Sequence, residues 1–236
     1  RPARIVAKGG SLSVPVCLMA RLHRTPCLLH ESDAVLGRAN RLVAAFAERI
    51  CLGFPLTDAI PKRLHSKCIH TGNPVRPQMT GGSRQEGLRI TGLCEGRPCL
   101  LVMGGSQGAQ VLNEAVRAQL PQLLETCNVV HLTGRGKQQT VEAPSDKYWQ
   151  REFVAAELPH LYALADGAVS RAGAGSLSEL QANQIPAVIV PLPGLAHDHQ
   201  RLNAEAARHS GGFVVLEQQH LQTDFQQSVS ALRDLR

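Results

Sequence analysis

Aromatic residues are scarce in this chain. Phe, Trp and Tyr make up 3% of its 236 residues, so the hydrophobic core has to be built mainly from Leu, Val, Ala and Ile. The chain also lacks an apolar run of the ~18 residues that a membrane-spanning helix needs. With 43% hydrophobic and 19% charged residues, its composition is that of a globular protein and excludes a disordered one.

Paired cysteines are missing as well. The chain has 7 cysteines, an odd number, and none has Cys-x-x-Cys spacing. Several lie inside apolar segments, which is typical of buried thiols in a reducing compartment. His65, Cys68 and His70 are close in sequence, but no second ligand pair with zinc spacing follows them. We therefore expect no metal site and no cofactor.

Acidic residues are outnumbered by basic ones. Lys and Arg number 25 against 19 Asp and Glu, which gives a formal net charge of +6. This excess favours an anionic partner such as a phosphate group, a nucleic acid or an anionic membrane surface. A basic protein without such a partner is the alternative.

Short apolar strands alternate with helical segments in two series. The first series has strands at 3–10, 26–31, 49–54 and 67–72, with helices at 13–24 and 38–48. The second has strands at 98–105, 128–134, 166–170, 186–193 and 212–217, with helices at 110–125, 176–183 and 198–210. Strands separated by helices predict βαβ units and parallel sheets. We therefore expect an α/β fold with two doubly wound lobes, residues 1–76 and 98–236, joined by a polar linker region at 77–97.

Polar or glycine-rich loops follow the predicted strands. Ligands of open parallel sheets bind outside the carboxyl ends of the strands, so these loops predict a cleft lined from both lobes. In MGGSQGA (103–109), three glycines permit tight turns and close approach of the backbone to a ligand. Ser106 precedes a predicted helix N-terminus, where phosphate is favoured. A serine-capped turn is the alternative.

The segment SRAGAGSLSEL (170–180) joins a predicted strand to a predicted helix through small residues. Small side chains would let a nucleotide approach the backbone. However, Ser176 and Glu179 also have the spacing of a capping box. The residues alone leave both interpretations open.

Three further loops carry candidate functional side chains. Arg76 in TGNPVRP (71–77) would reach a diphosphate from a hinge, or would be a solvated linker residue. HESD (30–33) places a histidine and carboxylates at a strand end, where they suit acid–base chemistry or helix capping. Gln200 and Asn203 share one face of a predicted helix.

The segments KGGSLSVP, HESDAVLGRANRL, TGNPVR, VMGGSQGAQVLN, HLTGRGK, EFVAAELPHLYALAD, SRAGAGSLSEL and PLPGLAHDHQRLNA occur in this order. Together they resemble the MurG family of glycosyltransferases, from about Lys8 to about Gly212. The resemblance implies a GT-B fold, in which two Rossmann-like lobes hold the donor between them. The first lobe is expected to be incomplete.

The resemblance also implies an activity. Members of the family are inverting enzymes that move N-acetylglucosamine from UDP-N-acetylglucosamine to undecaprenyl-diphosphate-linked muramyl-pentapeptide. This step converts lipid I to lipid II in peptidoglycan synthesis. The implied partners are these two substrates and an anionic inner-leaflet membrane surface, with no nucleic acid. The implied location is the cytoplasmic face of the cell membrane, as a peripheral protein, with Arg21, Arg24, Arg38 and Arg41 as candidate membrane contacts.

By resemblance, several residues are expected to bind the donor. Glu179 matches the residue that contacts the ribose hydroxyls, Val154 one whose backbone contacts uracil, and Gln200 one that binds the sugar. The other matching positions are Asp33, Arg76, Ser106, Ala174, Gly175, Ser176, Leu177 and Ser178. Asp33 departs from the family, because HESD stands where HEQN is commoner.

The family's first glycine-rich loop, with a Thr-Gly-Gly-His motif and a candidate catalytic histidine, would precede residue 1. We therefore assign no catalytic residue and expect no transferase activity from residues 1–236 alone. One alternative is a UDP-sugar-binding subunit, or an inactive truncated copy, that needs an N-terminal partner. A second alternative is a UDP-N-acetylglucosamine 2-epimerase.

Overall fold

The computed structural model describes residues 2–105, 108–194 and 198–232. The strands are β1 Ile5–Ala7, β2 Cys27–Glu31, β3 Arg49–Leu52, β4 Cys68–His70, β5 Cys99–Met103, β6 Asn128–Leu132, β7 Tyr148–Arg151, β8 Gly167–Ser170, β9 Ala187–Ile189 and β10 Phe213–Val215. The helices are α1 Ser13–Leu22, α2 Arg38–Ala44, α3 Arg84–Thr91, α4 Gln110–Ala118, α5 Leu120–Thr126, α6 Leu158–Leu164, α7 Ala174–Ala182, α8 His199–His209 and α9 Phe225–Ala231.

The strands form two separate parallel sheets. The first has the order β1-β2-β3-β4 and the second the order β10-β9-β8-β5-β6-β7. All their pairings are parallel. The predicted α/β class with two parallel-sheet lobes is confirmed. Because the strands of a parallel sheet run the same way, the loops at their carboxyl ends gather along one edge of each sheet.

Strand β5 shows why the second lobe needs helices on both faces. It is buried along its whole length. Leu101 and Met103 belong to one hydrophobic cluster, and Leu100 and Val102 to another, because successive side chains of a strand point to opposite faces. A strand buried on both faces has a continuous apolar sequence, which is why CLLVM is easy to recognise.

The first lobe has a core of its own. Helices α1 and α2 pack on its sheet. Leu29 and Ile50 of the sheet and Val43 of α2 are fully buried in one hydrophobic cluster. Of the cysteines, Cys17, Cys27, Cys99 and Cys127 are buried, as their apolar surroundings predict. Burial, with the Cys17 thiol 3.4 Å away, raises the pKa of Cys27 to about 12.

The structure contains elements that the sequence did not predict. Strand β7 and helices α6 and α9 are additions to the predicted series. The expected single helix at 110–125 is two helices, because Pro121 lies in the first turn of α5. Proline lacks the N–H that a continuous helix requires at this point, but it is well tolerated at a helix start.

Helix α3 lies within the polar region 77–97. Ser83 is its N-cap and Gly92 ends it in a left-handed conformation, with φ 68°. The helix packs closely on α6, since a Cβ atom at Gly87 would be 2.6 Å from the carbonyl oxygen of His160. A Cβ atom at Gly82 would come closer still to a carbonyl of α6 and would overlap the oxygen of Pro159. Met79, just before α3, is buried in the core of the second lobe, so this region is anchored to that lobe.

Candidate functional site

The two lobes meet where the loop after β2 contacts helix α8. The side chain of Asn203 on α8 accepts a hydrogen bond from the backbone N–H of Ala34 at 2.8 Å and donates one to Asp33 Oδ1 at 2.8 Å. It also donates to the carbonyl of Ala172, in the turn after β8, at 3.1 Å. Asp33 is therefore at the junction between the lobes, close to the strand ends of both sheets.

Buried Glu31 organises the loop that carries Asp33. Its carboxylate accepts hydrogen bonds from the backbone N–H groups of Asp33 and Gly37, at 3.1 and 2.9 Å, and from the side chain of Asn40 at 2.8 Å. Glu31 thus has a loop-forming role. The alternative that Ser32 or Asp33 caps the next helix is wrong, because α2 has Gly37 as its N-cap and no side chain caps it. In the second lobe, His199 Nδ1 lies 3.5 Å from Asp33 Oδ2.

Glu179 and Arg76 come together, as expected for two residues of one binding site. Glu179 Oε2 accepts a hydrogen bond from the Tyr162 hydroxyl at 2.7 Å, and its Oε1 lies 4.0 Å from the Arg76 guanidinium. The Glu179 side chain is 22% exposed and that of Arg76 63% exposed. Burial, followed by the Glu179 carboxylate, raises the pKa of Tyr162, so this hydroxyl stays a hydrogen-bond donor.

The capping-box interpretation of Ser176 and Glu179 is wrong. Helix α7 begins at Ala174 with Gly173 as its N-cap, and no side chain caps it. The N-cap is therefore three residues earlier than the serine pattern suggests, in a turn built from small residues. Ser178 donates to the carbonyl of Ala174 at 2.8 Å.

A serine substitution distinguishes these two kinds of helix start. Ser176→Ala is expected to change the free energy of unfolding by less than about 0.5 kcal/mol. Ser83, the N-cap of α3, accepts from the backbone N–H of Glu86, so Ser83→Ala should cost about 1 kcal/mol. Urea unfolding of both variants measures the difference, and an equal loss in both would contradict this assignment.

The glycine-rich loop after β5 lies against the loop after β6. A Cβ atom at Gly108 would overlap the carbonyl oxygen of Thr133, and its φ is +66°, so only glycine fits there without strain. The Lys137 ammonium group donates to the carbonyl of Gly108 at 3.1 Å. Helix α4 begins at Gln110, directly after this loop. The predicted phosphate contact Ser106 lies outside the described residues.

A buried polar network, not recognised in the sequence, links helix α4 to strands β6 and β7 next to the glycine-rich loop. Asn113 on α4 donates to the carbonyl of Thr133 at 2.8 Å, and its oxygen lies 3.0 Å from His131 Nε2. The other ring nitrogen of His131 is 3.0 Å from the Tyr148 hydroxyl. Burial, reinforced by Arg117, lowers the pKa of His131 to about 3. The imidazole is therefore neutral, with its proton on Nε2 facing the amide oxygen.

Two other predicted site residues follow β7 and β9. The side chain of Val154, just after β7, is buried in the core. The neighbouring Phe153 is exposed, and the Arg135 guanidinium carbon lies 5.3 Å from its ring centroid. Gln200, at the start of α8, accepts a hydrogen bond from the backbone N–H of Leu192 at 3.0 Å. Its side-chain oxygen is therefore already bonded within the protein.

Arg171 is a buried residue of this site that the sequence did not single out. It donates to the carbonyls of Val190 and Pro191 at 3.2 and 3.4 Å, and to the Gln218 side chain at 2.7 Å. Desolvation lowers the pKa of its guanidinium. Arg171 thus fixes Val190 and Pro191, which directly follow β9. A single buried arginine has no periodic signature, so only the structure reveals this role.

Metal ligands do not gather in the part of the chain that the structure describes. Within it, no group of three His, Cys, Asp or Glu side chains is placed to hold an ion. His197 lies outside that part.

Comparison with known proteins agrees with this architecture. Residues 99–235 match the family described as the glycosyltransferase family 28 C-terminal domain. The UDP-N-acetylglucosamine–N-acetylmuramyl-(pentapeptide) pyrophosphoryl-undecaprenol N-acetylglucosamine transferase of Lachnoclostridium phytofermentans is 40% identical over 225 residues, which are 94% of this chain and 62% of that protein. An enzyme of the same name, numbered 2, from Bacillus cereus is 40% identical over 218 residues, which are 92% of this chain and 61% of that protein.

Solved structures give the same picture of the fold. MurG of Acinetobacter baumannii has a TM-score of 0.74 and 27% identity, over 99% of this chain and 66% of that chain. The UDP-GlcNAc 2-epimerase of Neisseria meningitidis, bound to UDP-GlcNAc, has a TM-score of 0.59 and 14% identity, over 100% of this chain and 71% of that chain. The epimerase likeness shows the fold alone.

Two parallel-sheet lobes with a site between their strand ends define the GT-B class of glycosyltransferase folds, as the sequence resemblance predicted. Within that class, the chain belongs to glycosyltransferase family 28, whose C-terminal domain it contains. The chain spans about 62% of the length of the curated relative from L. phytofermentans.

Proposed function

We propose that the chain acts in an inverting hexosyltransferase that moves N-acetylglucosamine from UDP-N-acetylglucosamine to undecaprenyl-diphosphate-linked muramyl-pentapeptide. The reaction would convert lipid I into lipid II in peptidoglycan synthesis. The observation that carries this proposal is the pairing of Glu179, on α7 of the family 28 lobe, with Arg76, which precedes that lobe in the chain. The printed names of relatives at 40% identity support the choice of substrates.

The Glu179 carboxylate suits the ribose of a uridine nucleotide. Tyr162 holds Oε2, and Oε1 remains on the side of exposed Arg76. An ionised carboxylate only accepts hydrogen bonds, so hydroxyl groups are its natural ligands. Tyr162 fixes the orientation of the carboxylate before the ligand arrives. Ala174, Gly175, Ser176, Leu177 and Ser178 form the start of α7 along which we place the nucleotide.

The diphosphate would lie between the glycine-rich loop and Arg76. Gly104, Gly105 and Gly108 keep side chains away from the start of α4, so backbone N–H groups and the helix dipole can face an anion. We place Ser106 beside the phosphates and the backbone of Val154 beside the uracil.

The transfer itself is a single displacement. The muramyl hydroxyl attacks the anomeric carbon, the bond from that carbon to the diphosphate breaks, and the hydroxyl proton passes to a base. UDP leaves with the bonding electrons, and its charge is stabilised by the positive groups around the diphosphate. Asp33 lies at the junction of the lobes, and we place the donor sugar between it and Gln200.

Nucleotide selectivity tests the proposal. Titration calorimetry on the chain should show binding of UDP-N-acetylglucosamine and UDP, and none of ADP-glucose at the same concentrations. NMR of the bound sugar nucleotide should show an unchanged C2 configuration, whereas an epimerase would produce UDP-N-acetylmannosamine. Absence of UDP binding, or C2 inversion, would overturn the assignment.

We also propose that the protein works as a peripheral protein on the cytoplasmic face of the cell membrane. The net charge of +6 supports attraction to anionic lipid. Helix α1 and the residue before it expose Leu12, Met19 and Leu22 close to Arg21 in sequence, and Leu12 is 83% exposed. Among the helices of the described ranges, none is long and apolar enough to cross a membrane.

Vesicle flotation tests this location. The protein should float with anionic vesicles at low salt and less with neutral vesicles, since salt and neutral headgroups remove the electrostatic attraction. The Arg21→Gln, Arg24→Gln double variant should float less. Arg201→Gln, on the second lobe, is the matched control. Equal flotation of all three proteins would exclude these arginines as membrane contacts.

A further inference from the structure

We propose that Asn203 is a positioning residue. It fixes the position of one lobe relative to the other and holds the Asp33 carboxylate at the donor sugar. This inference rests on the proposed function, because it assigns the sugar to the junction that Asn203 creates. Asn203 itself is only 1% exposed, so it acts through Asp33 and Ala172 and not by contacting the ligand.

The hydrogen-bonding capacity of Asn203 is divided between the lobes. An asparagine side chain has one acceptor oxygen and two N–H donors. Its oxygen accepts from Ala34 and its NH₂ group donates to Asp33, both in the first lobe, at 2.8 Å. The NH₂ group also donates to Ala172, in the second lobe, at 3.1 Å. The buried Asn203 side chain thus bonds a residue 170 positions away in sequence.

The loop that Asn203 binds is rigid within its own lobe. Glu31 bonds the backbone of Asp33 and Gly37, and Asn73 donates to the carbonyl of Ser32 at 3.0 Å. Since the loop is fixed at several points, a bond to Asn203 positions the first lobe as a whole. On the other side, Ala172 lies two residues before α7, which carries Glu179.

Both carboxylate oxygens of Asp33 face helix α8. Asn203 bonds Oδ1, and His199 Nδ1 lies 3.5 Å from Oδ2. The nucleotide part of a UDP-sugar needs only the second-lobe residues that we assign to it. The sugar needs groups from both lobes. Asn203 should therefore affect the affinity for UDP-N-acetylglucosamine much more than the affinity for UDP.

An exchange of donor and acceptor tests this geometry. Asn203→Asp keeps the size but sets two carboxylates against each other, so the affinity for UDP-N-acetylglucosamine should fall about tenfold and that for UDP less than about twofold. Asp33→Asn in the same protein restores a donor and an acceptor across the junction. The double variant should regain part of the lost affinity, because the bond to the Ala172 carbonyl stays lost. Glu205→Gln, an exposed change on the same helix, should leave both affinities unchanged.

Hydrogen exchange at the Ala34 amide gives a readout without ligand. It should accelerate in Asn203→Leu, which removes the oxygen that accepts from this N–H, relative to Glu205→Gln, while exchange in β5 stays unchanged. Equal losses of UDP and UDP-sugar affinity, no recovery in the double variant, or unaltered exchange at Ala34 would each overturn the proposal. If the unmodified chain binds neither nucleotide, the proposed function fails instead, and the Ala34 exchange still decides whether Asn203 joins the lobes.

Discussion

Replacing Glu179 with alanine is expected to weaken UDP binding by about 1–3 kcal/mol, the range for losing one partner of a charged hydrogen bond. The carboxylate is only 22% exposed and is oriented by Tyr162, so a ribose hydroxyl would meet a preformed acceptor. Removing it also leaves the Tyr162 hydroxyl without its 2.7 Å partner. Titration calorimetry with UDP measures the effect.

Two further variants separate the direct contact from the support of Tyr162. Glu179→Gln keeps an acceptor oxygen but removes the charge, so its loss of affinity should be intermediate. Tyr162→Phe removes only the orienting hydroxyl and should cost less than Glu179→Ala. Thermal unfolding of each protein confirms that it is folded. Unchanged UDP affinity in folded Glu179→Ala would refute the assignment of this carboxylate to the ribose.

Replacing Arg171 with methionine is expected to lower the free energy of unfolding by about 3 kcal/mol, since hydrogen bonds from a charged donor are lost and buried carbonyls are left unpaired. The carbonyls belong to Val190 and Pro191. Methionine fills much of the same volume without offering a donor. The loop before Gln200 would also loosen, so the affinity for UDP-N-acetylglucosamine should fall more than that for UDP.

Urea denaturation provides the stability measurement. Arg171→Lys retains a charge but not the planar group that bonds three acceptors, so it should recover only part of the loss. Arg201→Met removes an exposed arginine whose partners lie on its own helix and the residue before it, and it should change stability by less than about 0.5 kcal/mol. A similar loss in the Arg171 and Arg201 variants would show that burial of Arg171 contributes nothing.

Local sequence patterns were sufficient to predict most of the sheet strands. Runs such as CLLVM in β5 are buried on both faces and are therefore continuously apolar. Strand β7, YWQR, was missed because it is at the edge of its sheet and only Tyr148 is buried. Helix α3 was missed because its composition is polar and its contact with α6 depends on glycine, which gives no hydrophobic signal.

In the candidate site too, local motifs were predictable and long-range contacts were not. The glycine-rich loop and the start of α7 were predicted, because short motifs after strands report local backbone geometry. The capping box was wrong, since S-x-x-E fits both a helix start and a functional pair. Asn203 and Arg171 act through contacts with residues that are distant in the chain. No periodic pattern records such contacts, so their roles follow only from the three-dimensional arrangement.

The close packing of α3 on α6 determines how the two lobes can rotate. Asn73 is bonded to Ser32 in the first lobe, and Met79 is buried in the second. A change in the angle between the lobes therefore has to use the backbone torsions between these two residues. Pro74 fixes one of those torsions, which lowers the conformational entropy of the pivot. Arg76 lies on this pivot, and its guanidinium is 4.0 Å from Glu179 Oε1 in the second lobe.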